Sequence, residues 1–243
     1  MPLYLPGSVV LGPCLSGTPA PSSLPAYLTS IGKGSWYGGF KAPLLLFSDI
    51  SNTVAVTTDG ASWRNWLPIL SAGGFSASFG QSTGSRRCAL GTSRNGKPGV
   101  YADGVDWYAT LSSTTELNRQ HTVLMSAWIT CAAGPPCLYS HNNQQMRLVC
   151  PTTVGGMPTF YGASTSQGVK ANHVLQGTPV DASTFAARMG WSTDAANSAY
   201  CNFSPNLFRS SSDAAYSSST IHELWFVEKL TPAEITEALK FLA

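Results

Sequence analysis

Charged residues are scarce in this chain, at 11% of 243 residues, against about a quarter in a typical soluble domain. Exposed helix faces usually carry Lys, Glu and Arg, whereas the polar positions here are mostly Ser, Thr, Asn and Gly, which favour strands and turns. Hydrophobic residues reach 43%, so the low charge does not indicate disorder. The composition predicts a β-rich fold with a sizeable core, as one large domain or two small ones.

The chain also lacks any cluster of positive charge, and its formal net charge is only +2. A protein that binds a phosphate backbone usually carries a basic patch, so we expect no nucleic-acid partner. No apolar run approaches the roughly 18 residues of a membrane span, and the longest, such as residues 42–47, have the length of a strand. Residues 1–12 lack the basic and apolar regions of a secretory signal, so we expect no signal peptide there.

Patterns of catalytic residues are missing as well. A retaining glycoside hydrolase needs two carboxylates about 5 Å apart, which one strand supplies through acidic residues at alternate positions. The twelve acidic residues include no such pair on a predicted core strand, because Glu223 has no acidic neighbour at position 221 or 225. No Gly-x-Ser-x-Gly sequence places a nucleophilic serine, and we expect His222 to face the opposite side of the sheet from Glu223. We therefore expect no enzymatic activity.

Six cysteines are spread thinly along the chain: Cys14, Cys88, Cys131, Cys137, Cys150 and Cys201. In a chain that is long enough to fold without disulfides, free buried thiols are the favoured interpretation. A disulfide between Cys131 and Cys137, across the turn Ala-Ala-Gly-Pro-Pro, is a second alternative. A zinc site of Cys131, Cys137 and His141 is a third, and it would need a fourth ligand from elsewhere.

Residues 1–47 differ from the rest of the chain because they hold seven prolines and many glycines. These residues interrupt regular elements, so we predict an extended arm, followed by one domain over residues 48–243. The arm has too many apolar side chains for a solvated linker. We expect it to fasten the domain to a partner through residues such as Leu5, Val10, Leu28 and Trp36. The alternative is that it completes the sheet of the same domain.

Short strand patterns recur from residue 48 onward, separated by Gly, Asn and Ser clusters, as in β-sandwiches. We predict strands at residues 53–57, 99–103, 107–111, 122–129, 146–150, 159–161, 184–189 and 221–227. The last strand is apolar on both faces and is therefore predicted to be central in its sheet. In this strand Ile221, Glu223, Trp225 and Val227 are expected to alternate in facing with His222, Leu224 and Phe226.

A helix is predicted over the final segment, residues 231–243. Thr231 caps its first free amides, Pro232 suits the first turn, and Glu234 completes a capping box. Ile235, Leu239 and Leu242 then share one face. We expect this helix to pack against the chain's own sheet.

The ending, from Ile221 to Leu242, resembles the closing strand and helix of laminin G-like, concanavalin A-like jelly rolls, whose pattern is I-x-E-L-x-V-(F/Y) followed by L-(T/S)-x-x-E-I. Residues 95–108 resemble the family segment N-G-K-P-x-V-x-F-D-G-x-D-D-Y, although Ala102 replaces an aromatic residue and Trp107 an acidic one. Residues 46–66 resemble the segment D-x-x-x-T-x-x-V-T-x-D-G of versions common in bacteriophage structural proteins. The resemblance implies an all-β jelly-roll sandwich.

It also implies a function, namely a non-enzymatic virion protein that decorates a capsid or serves as a head fibre or as a tail or baseplate adhesin. Such a protein would lie in the virion in many copies or as a homo-oligomer, bind other virion proteins through the arm, and bind glycans on the host surface. The alternative is a secreted carbohydrate-binding module or a subunit of a glycan hydrolase.

Sugar rings stack on aromatic faces, so the candidate glycan-binding residues are Trp63, Trp107 and Trp191, although a core position is the favoured interpretation for each. Asp103 is predicted to form a tight turn with Gly104, and Asp106 is predicted to start the strand that continues through Trp107 and Tyr108. A calcium ion held by these two carboxylates and by backbone carbonyls is the alternative. Otherwise the sequence indicates neither a metal nor a cofactor.

Overall fold

The structure is a computed structural model. It describes residues 20–92, 96–112, 117, 119–130, 137–141, 144–149, 159–162, 172–179, 184–192, 206–209 and 218–242. The α-helices in this part of the chain are α1 (Leu24–Ser30) and α2 (Pro232–Ala238), and short 3-10 helices lie at Gly84–Arg86 and Leu239–Phe241. The strands are β1 (Tyr37–Lys41), β2 (Leu46–Phe47), β3 (Asn65–Trp66), β4 (Leu70–Ala72), β5 (Phe79–Gly80), β6 (Ala89–Thr92), β7 (Pro98–Tyr101), β8 (Ala109–Leu111), β9 (His121–Thr130), β10 (Cys137–His141), β11 (Gln144–Val149), β12 (Thr159–Gly162), β13 (Asn172–Pro179), β14 (Thr184–Ser192), β15 (Asn206–Leu207) and β16 (Thr220–Glu228).

These strands form two antiparallel sheets of eight strands each. Sheet A has the order β13-β14-β9-β16-β1-β4, and the pair β6-β7 joins it through β7 and β16. Sheet B has the order β12-β11-β10-β15-β8-β5-β3-β2. The predicted all-β class is therefore correct, and β16 is central in its sheet, as its two apolar faces indicated.

Aromatic rings from both sheets fill the space between them. Phe226 of β16 stacks on Phe79 of β5 with ring centroids 6.1 Å apart, and it meets Tyr139 of β10 at 6.3 Å. Phe40 of β1 contacts Trp66 of β3 at 5.4 Å. Because buried aromatic pairs contribute both apolar area and favourable edge or stacked contacts, this cluster holds the two sheets face to face as a sandwich.

Both α-helices lie on the outer face of sheet A. Leu28 of α1 and Ile235 of α2 are fully buried with Trp225 and Val227, which point outward from β16. Tyr27 of α1 stacks on Phe241, which lies in the turn that follows α2, at 5.5 Å. The capping box at Thr231 forms as predicted, since its hydroxyl accepts from the Glu234 amide and the Glu234 carboxylate accepts from the Thr231 amide.

Residues 20–47 are part of this sandwich instead of an extended arm. Strand β1 lies between β16 and β4, so the alternative of a completed sheet describes it. Two glycines allow β1 to pack in this position. A Cβ at Gly38 would clash with the Phe75 ring, and one at Gly39 would clash with the Trp225 ring. Leu28 and Trp36, considered above as attachment residues, are instead buried in the chain's own core. Leu5 and Val10 lie outside the described residues.

Other sequence expectations have mixed outcomes. Residues 53–57 form no strand and make only a single bridge between Ala55 and Phe47.

Cys88 is a buried free thiol whose pKa is raised mainly by burial, then by the charge of Asp103. The other five cysteine side chains, with the proposed disulfide and zinc site, lie outside the described side chains. Among the described residues, no helix is long and apolar enough to cross a membrane.

Candidate functional site

A row of hydrogen-bonding residues crosses the outer face of sheet B. Strand pairing places Asn65 opposite Gly80, Gly80 opposite Thr110, and Thr110 opposite Asn206. Residues that pair across antiparallel strands point to the same face, and their neighbours along each strand point to the other. The adjacent residues along three of these strands are Trp66, Phe79 and Leu111, and they are fully buried in the core. The row therefore faces outward. We call Asn65, Gly80, Thr110 and Asn206 the polar row.

Hydrogen bonds fix the orientation of two side chains in the polar row. The Thr110 hydroxyl donates to Asn206 Oδ1 at 2.7 Å, which places the Asn206 Nδ2 donor on the other side of the amide. Both side chains are partly exposed. The next residue across the sheet, Ser140, is fully buried and donates to the Arg209 carbonyl at 2.6 Å. The accessible part of the row therefore ends at Asn206.

At its other end, the polar row is held by the loop of residues 48–55. Asn65 Nδ2 donates to Asn52 Oδ1 at 2.8 Å and to the Asp49 carbonyl at 3.2 Å. The loop itself is closed by the Asp49 carboxylate, which accepts from the Val54 and Thr53 amides. These bonds, the one from Val54 first, lower the pKa of Asp49. With both Nδ2 hydrogens used, Asn65 presents its Oδ1 as an acceptor toward Gly80.

Gly80 forms the floor of the polar row. A Cβ at this position would lie 3.1 Å from Asn65 Oδ1 and 3.3 Å from the Arg64 carbonyl. Without that side chain, the strand backbone is accessible between an acceptor on one side and a hydroxyl and an amide on the other. Such an arrangement can bind the alternating donors and acceptors of a polyhydroxyl compound. The row holds no carboxylate, thiol or imidazole, so it offers binding groups and no nucleophile or general base.

The three tryptophans predicted to bind glycans have different positions. Trp63 is fully buried in the core between the sheets, in contact with Trp66 at 6.1 Å, so it cannot stack on a sugar from solvent. Trp107 is partly exposed and lies 6.0 Å from the Tyr101 ring. The Trp191 side chain lies outside the described side chains. Trp107 alone of the three is described at the surface, and it follows the loop that begins at Asp103.

Asp103 has the turn-forming role predicted for it, whereas the strand predicted to start at Asp106 begins at Ala109. Asp103 Oδ1 accepts hydrogen bonds from the amides of Val105, Asp106 and Trp107, at 2.9 to 3.2 Å. Asp106 faces Arg86, with 3.9 Å between its Oδ2 and Arg86 Nε. Among the described residues, no group of three His, Cys, Asp or Glu side chains comes together to hold a metal ion. Among these side chains, none joins Asp103 and Asp106 as a third ligand for a calcium ion.

Glu223 and His222 also have structural contacts. The buried Glu223 carboxylate accepts from Trp225 Nε1 at 2.8 Å and lies 3.6 Å from Lys41 Nζ. His222 is buried, and its Nδ1 lies 3.0 Å from the Pro98 carbonyl. A β-bulge between Ile221 and Glu223 breaks the expected alternation. As a result Ile221 is in the same core cluster as Leu224 and Phe226, whereas the sequence predicted the opposite face.

The polar row was not anticipated as a unit. Part of its signal is in the sequence, because Ala109 and Leu111 alternate with Tyr108 and Thr110 in a predicted strand. The pairing that brings Asn206 beside Thr110 joins residues 96 positions apart and has no local signature. Comparisons of the chain with protein-family models, with curated proteins and with solved structures find no match in any of the three.

Proposed function

We propose that this chain is a non-enzymatic, lectin-like structural protein that presents the polar row of sheet B to saccharides. The observation that carries the proposal is the contrast between its two outer faces. Helices α1 and α2 cover the part of sheet A around Trp225 and Val227, whereas sheet B presents an acceptor, a hydroxyl and an amide around a glycine floor. Saccharides are recognised by groups of this kind, and binding needs no metal or titrating side chain.

The proposed fold family is the laminin G-like, concanavalin A-like jelly roll of bacteriophage structural proteins. Two antiparallel sheets packed face to face are what such a fold requires. The three segments that resemble this family contain regular elements of the chain. Residues 46–66 include β2 and β3, residues 95–108 include β7 and the loop before β8, and residues 221–242 include most of β16 and all of α2. In this proposal the protein belongs to the virion, in many copies, as a decoration, fibre or adhesion protein.

Attachment to other virion proteins is proposed for the residues before α1, which include Leu5 and Val10. Residues 24–47 contribute to the chain's own fold, so they are poor candidates for the attachment segment. This narrows the proposed attachment segment from residues 1–47 to the residues that precede the sandwich.

Saccharide binding is tested by titrating the purified protein with a panel of oligosaccharides and repeating the titration with Thr110→Val and Asn206→Ala. Each variant removes a hydrogen-bonding group of the polar row, so we expect each to weaken binding about tenfold, as loss of one or two hydrogen bonds should. Gln176→Ala is a matched control, since Gln176 is a partly exposed amide on β13 of sheet A. Binding that all variants retain, or none at all by the parent protein, would reject the proposal.

Location is tested separately, by mass spectrometry of virus particles purified by density gradient from the source culture. A virion protein should be found there at a fixed ratio to the capsid protein. Recovery only as a monomer in the culture supernatant would favour the alternative, a secreted carbohydrate-binding module.

A further inference from the structure

Strand β4 is the last strand on one side of sheet A. One side of β4 pairs with β1, with Leu70 opposite Gly39, and no described strand pairs with its other side. Leu70 and Ser71 are both exposed. The open side of β4 therefore offers backbone amide and carbonyl groups to a further strand.

The adjacent edge of sheet B is closed by the chain itself. Strand β2 pairs with β3 on one side, and residues 54–56 lie against its other side, where the Val56 amide donates to the Leu46 carbonyl at 2.8 Å. The two edges meet because the Leu67 amide, between β3 and β4, donates to the Leu45 carbonyl, between β1 and β2. Of these two adjacent edges, one is covered and the other remains open.

Exposed apolar side chains are concentrated beside the open edge. Six large apolar side chains are exposed among the described residues, and five of them lie between residues 44 and 70: Leu44, Leu45, Ile50, Val54 and Leu70. Leu70 is on the outer face of sheet A, since its partner Gly39 packs against the outward Trp225 ring. It extends the buried apolar surface around Trp225 to the edge, where 49% of Leu70 is exposed. We call Leu44, Leu45, Leu70 and the open side of β4 the apolar edge.

The backbone at Leu45 supports a binding role for the apolar edge. Leu45 has a φ of 54°, a left-handed conformation that is unfavourable for a bulky side chain. In this conformation the Leu45 side chain is 42% exposed. A costly backbone conformation that presents an apolar side chain to solvent is expected where that side chain has a binding partner.

Charge is absent from the segments that form the apolar edge. Residues 42–48 and 65–85 contain no Lys, Arg, Asp or Glu, and on β1 the charge of Lys41 is balanced by Glu223, 3.6 Å away. Open edges are commonly protected by charged residues or proline, and β4 holds neither. A symmetric dimer places the same patch opposite itself, so a charged patch would repel its own copy. A neutral edge with exposed leucines therefore fits a second copy of this chain.

We infer that the apolar edge is a dimer interface, at which β4 pairs antiparallel with β4 of a second copy and joins the two A sheets. Antiparallel pairing of identical strands has two-fold symmetry, so the contact closes at two copies. Strand addition satisfies the open backbone groups, and the leucines of both copies bury one another. Because β4 is short, the dimer should have modest affinity, at the small end of specific interfaces.

Sedimentation velocity of the full chain tests this interface. We expect the parent protein to shift from monomer to dimer between about 1 and 100 μM. Leu70→Lys should weaken the dimer about tenfold or more, because it places an ammonium group of each copy in an apolar contact. Val105→Lys is the matched control, since Val105 is 70% exposed and lies outside the apolar edge, and it should dimerise like the parent. Both variants change exposed residues, so neither should shift the unfolding midpoint.

Cysteine substitution gives a test in which the interface gains a bond. At least one of Leu70→Cys, Ser71→Cys and Ala72→Cys should form a dimer-sized product when the full chain is oxidised with glutathione disulfide. The reason is that the two-fold axis of the paired strands brings equal positions together. The parent chain, with its six cysteines, and Val105→Cys set the background on the same non-reducing gel.

Three results would overturn the inference. A parent protein that stays monomeric throughout the concentration range has no such interface, and a dimer that Leu70→Lys leaves intact uses another surface. Dissociation by Val10→Lys would mean that the segment before α1 occupies the edge instead of β4. Saccharide titration of Leu70→Lys should match that of the parent protein, because the polar row lies on sheet B, so the dimer and the proposed function can fail separately.

Discussion

The outer faces of the two sheets differ although both sheets share one core. On sheet A the outward residues Leu124, Trp225 and Val227 are apolar and buried beneath the helices. On sheet B the outward residues Thr110 and Asn206 are polar and partly exposed. In both sheets, alternate residues supply the common core. The comparison shows that the outward-pointing residues decide whether a sheet face packs against helices or stays partly exposed.

The largest effect should come from the core that both sheets share. Phe226→Ala removes a ring that contacts Phe40, Phe75, Phe79 and Tyr139. We expect a loss of about 3–5 kcal/mol in the free energy of unfolding, the usual cost of emptying a buried phenylalanine site. Urea denaturation followed by circular dichroism and by tryptophan fluorescence should give one coincident, shifted transition. Separate transitions would mean that the sheets are not one cooperative unit.

The second-largest loss of stability should come from the packing of helix α1 on sheet A. Leu28→Ala leaves a cavity between α1 and the sheet, at a residue with no exposed surface, so we expect a loss of about 2–5 kcal/mol. Ser30→Ala, on the exposed side of the same helix, is the control and should change stability by less than about 0.5 kcal/mol. A stable Leu28→Ala variant would restore this region as a candidate attachment segment.

A smaller effect is expected at the start of α2. Thr231→Ala removes the hydroxyl that accepts from the Glu234 amide at 3.3 Å, so the helix should lose about 1 kcal/mol of stability. Thr236→Ala, a threonine inside the same helix whose hydroxyl donates to the Pro232 carbonyl, should cost clearly less. An equal midpoint for Thr231→Ala and the parent protein would contradict the role of the cap.

Lowering the pH should reduce the stability of the protein through His222, which lies where β7 and β1 both pair with β16. Burial, more than the charge of Lys97, lowers the pKa of His222, against the opposing hydrogen bond to Pro98. Its folded pKa lies below the unfolded value of about 6.5, so the unfolded chain binds more protons and stability falls as pH drops below that value. Thermal unfolding at pH 7.5 and 5.5 should reveal this loss. His222→Gln should reduce it, and an unchanged pH dependence would refute this assignment.

The smallest stability effect is expected on the outer face of sheet B. Thr110→Val should change the free energy of unfolding by no more than about 0.5 kcal/mol, because its hydroxyl is partly exposed. The same variant should weaken saccharide binding. If denaturation shows a loss comparable to that of Leu28→Ala, the polar row serves stability instead of binding.

Local patterns in the sequence predicted the elements that depend on local chemistry. The capping box at Thr231 and the apolar strand at residues 221–227 are both present in the structure. The helix α1 was missed because prolines dominate its region, although Ser23 caps it and Pro25 suits its first turn. Strand β1 was covered only by the alternative that residues 1–47 complete the sheet, because its two glycines indicated an interrupted element. Each makes room for an aromatic ring from a distant segment, which no local pattern reveals.

The candidate site was less predictable for the same reason. Trp63 was a candidate for glycan binding by residue type, with a core position as the favoured interpretation, and its burial depends on how sheet B packs on sheet A. The polar row depends on the register among β3, β5, β8 and β15, and the bulge beside His222 depends on the pairing of β16 with β9. Register across strands that are distant in the chain is set by the whole core. The sequence indicated the fold class, but not these positions.

The most direct test of the saccharide face is to map the binding site by nuclear magnetic resonance. The ¹⁵N-labelled protein would be titrated with the tightest-binding saccharide of the panel while amide chemical shifts are followed. The largest shifts should fall on Gly80, Thr110 and Asn206, with little change at Leu28 and Ile235 beneath the helices. Shifts concentrated around the helices on sheet A, with none on the polar row, would contradict the central claim that the outer face of sheet B is the binding face.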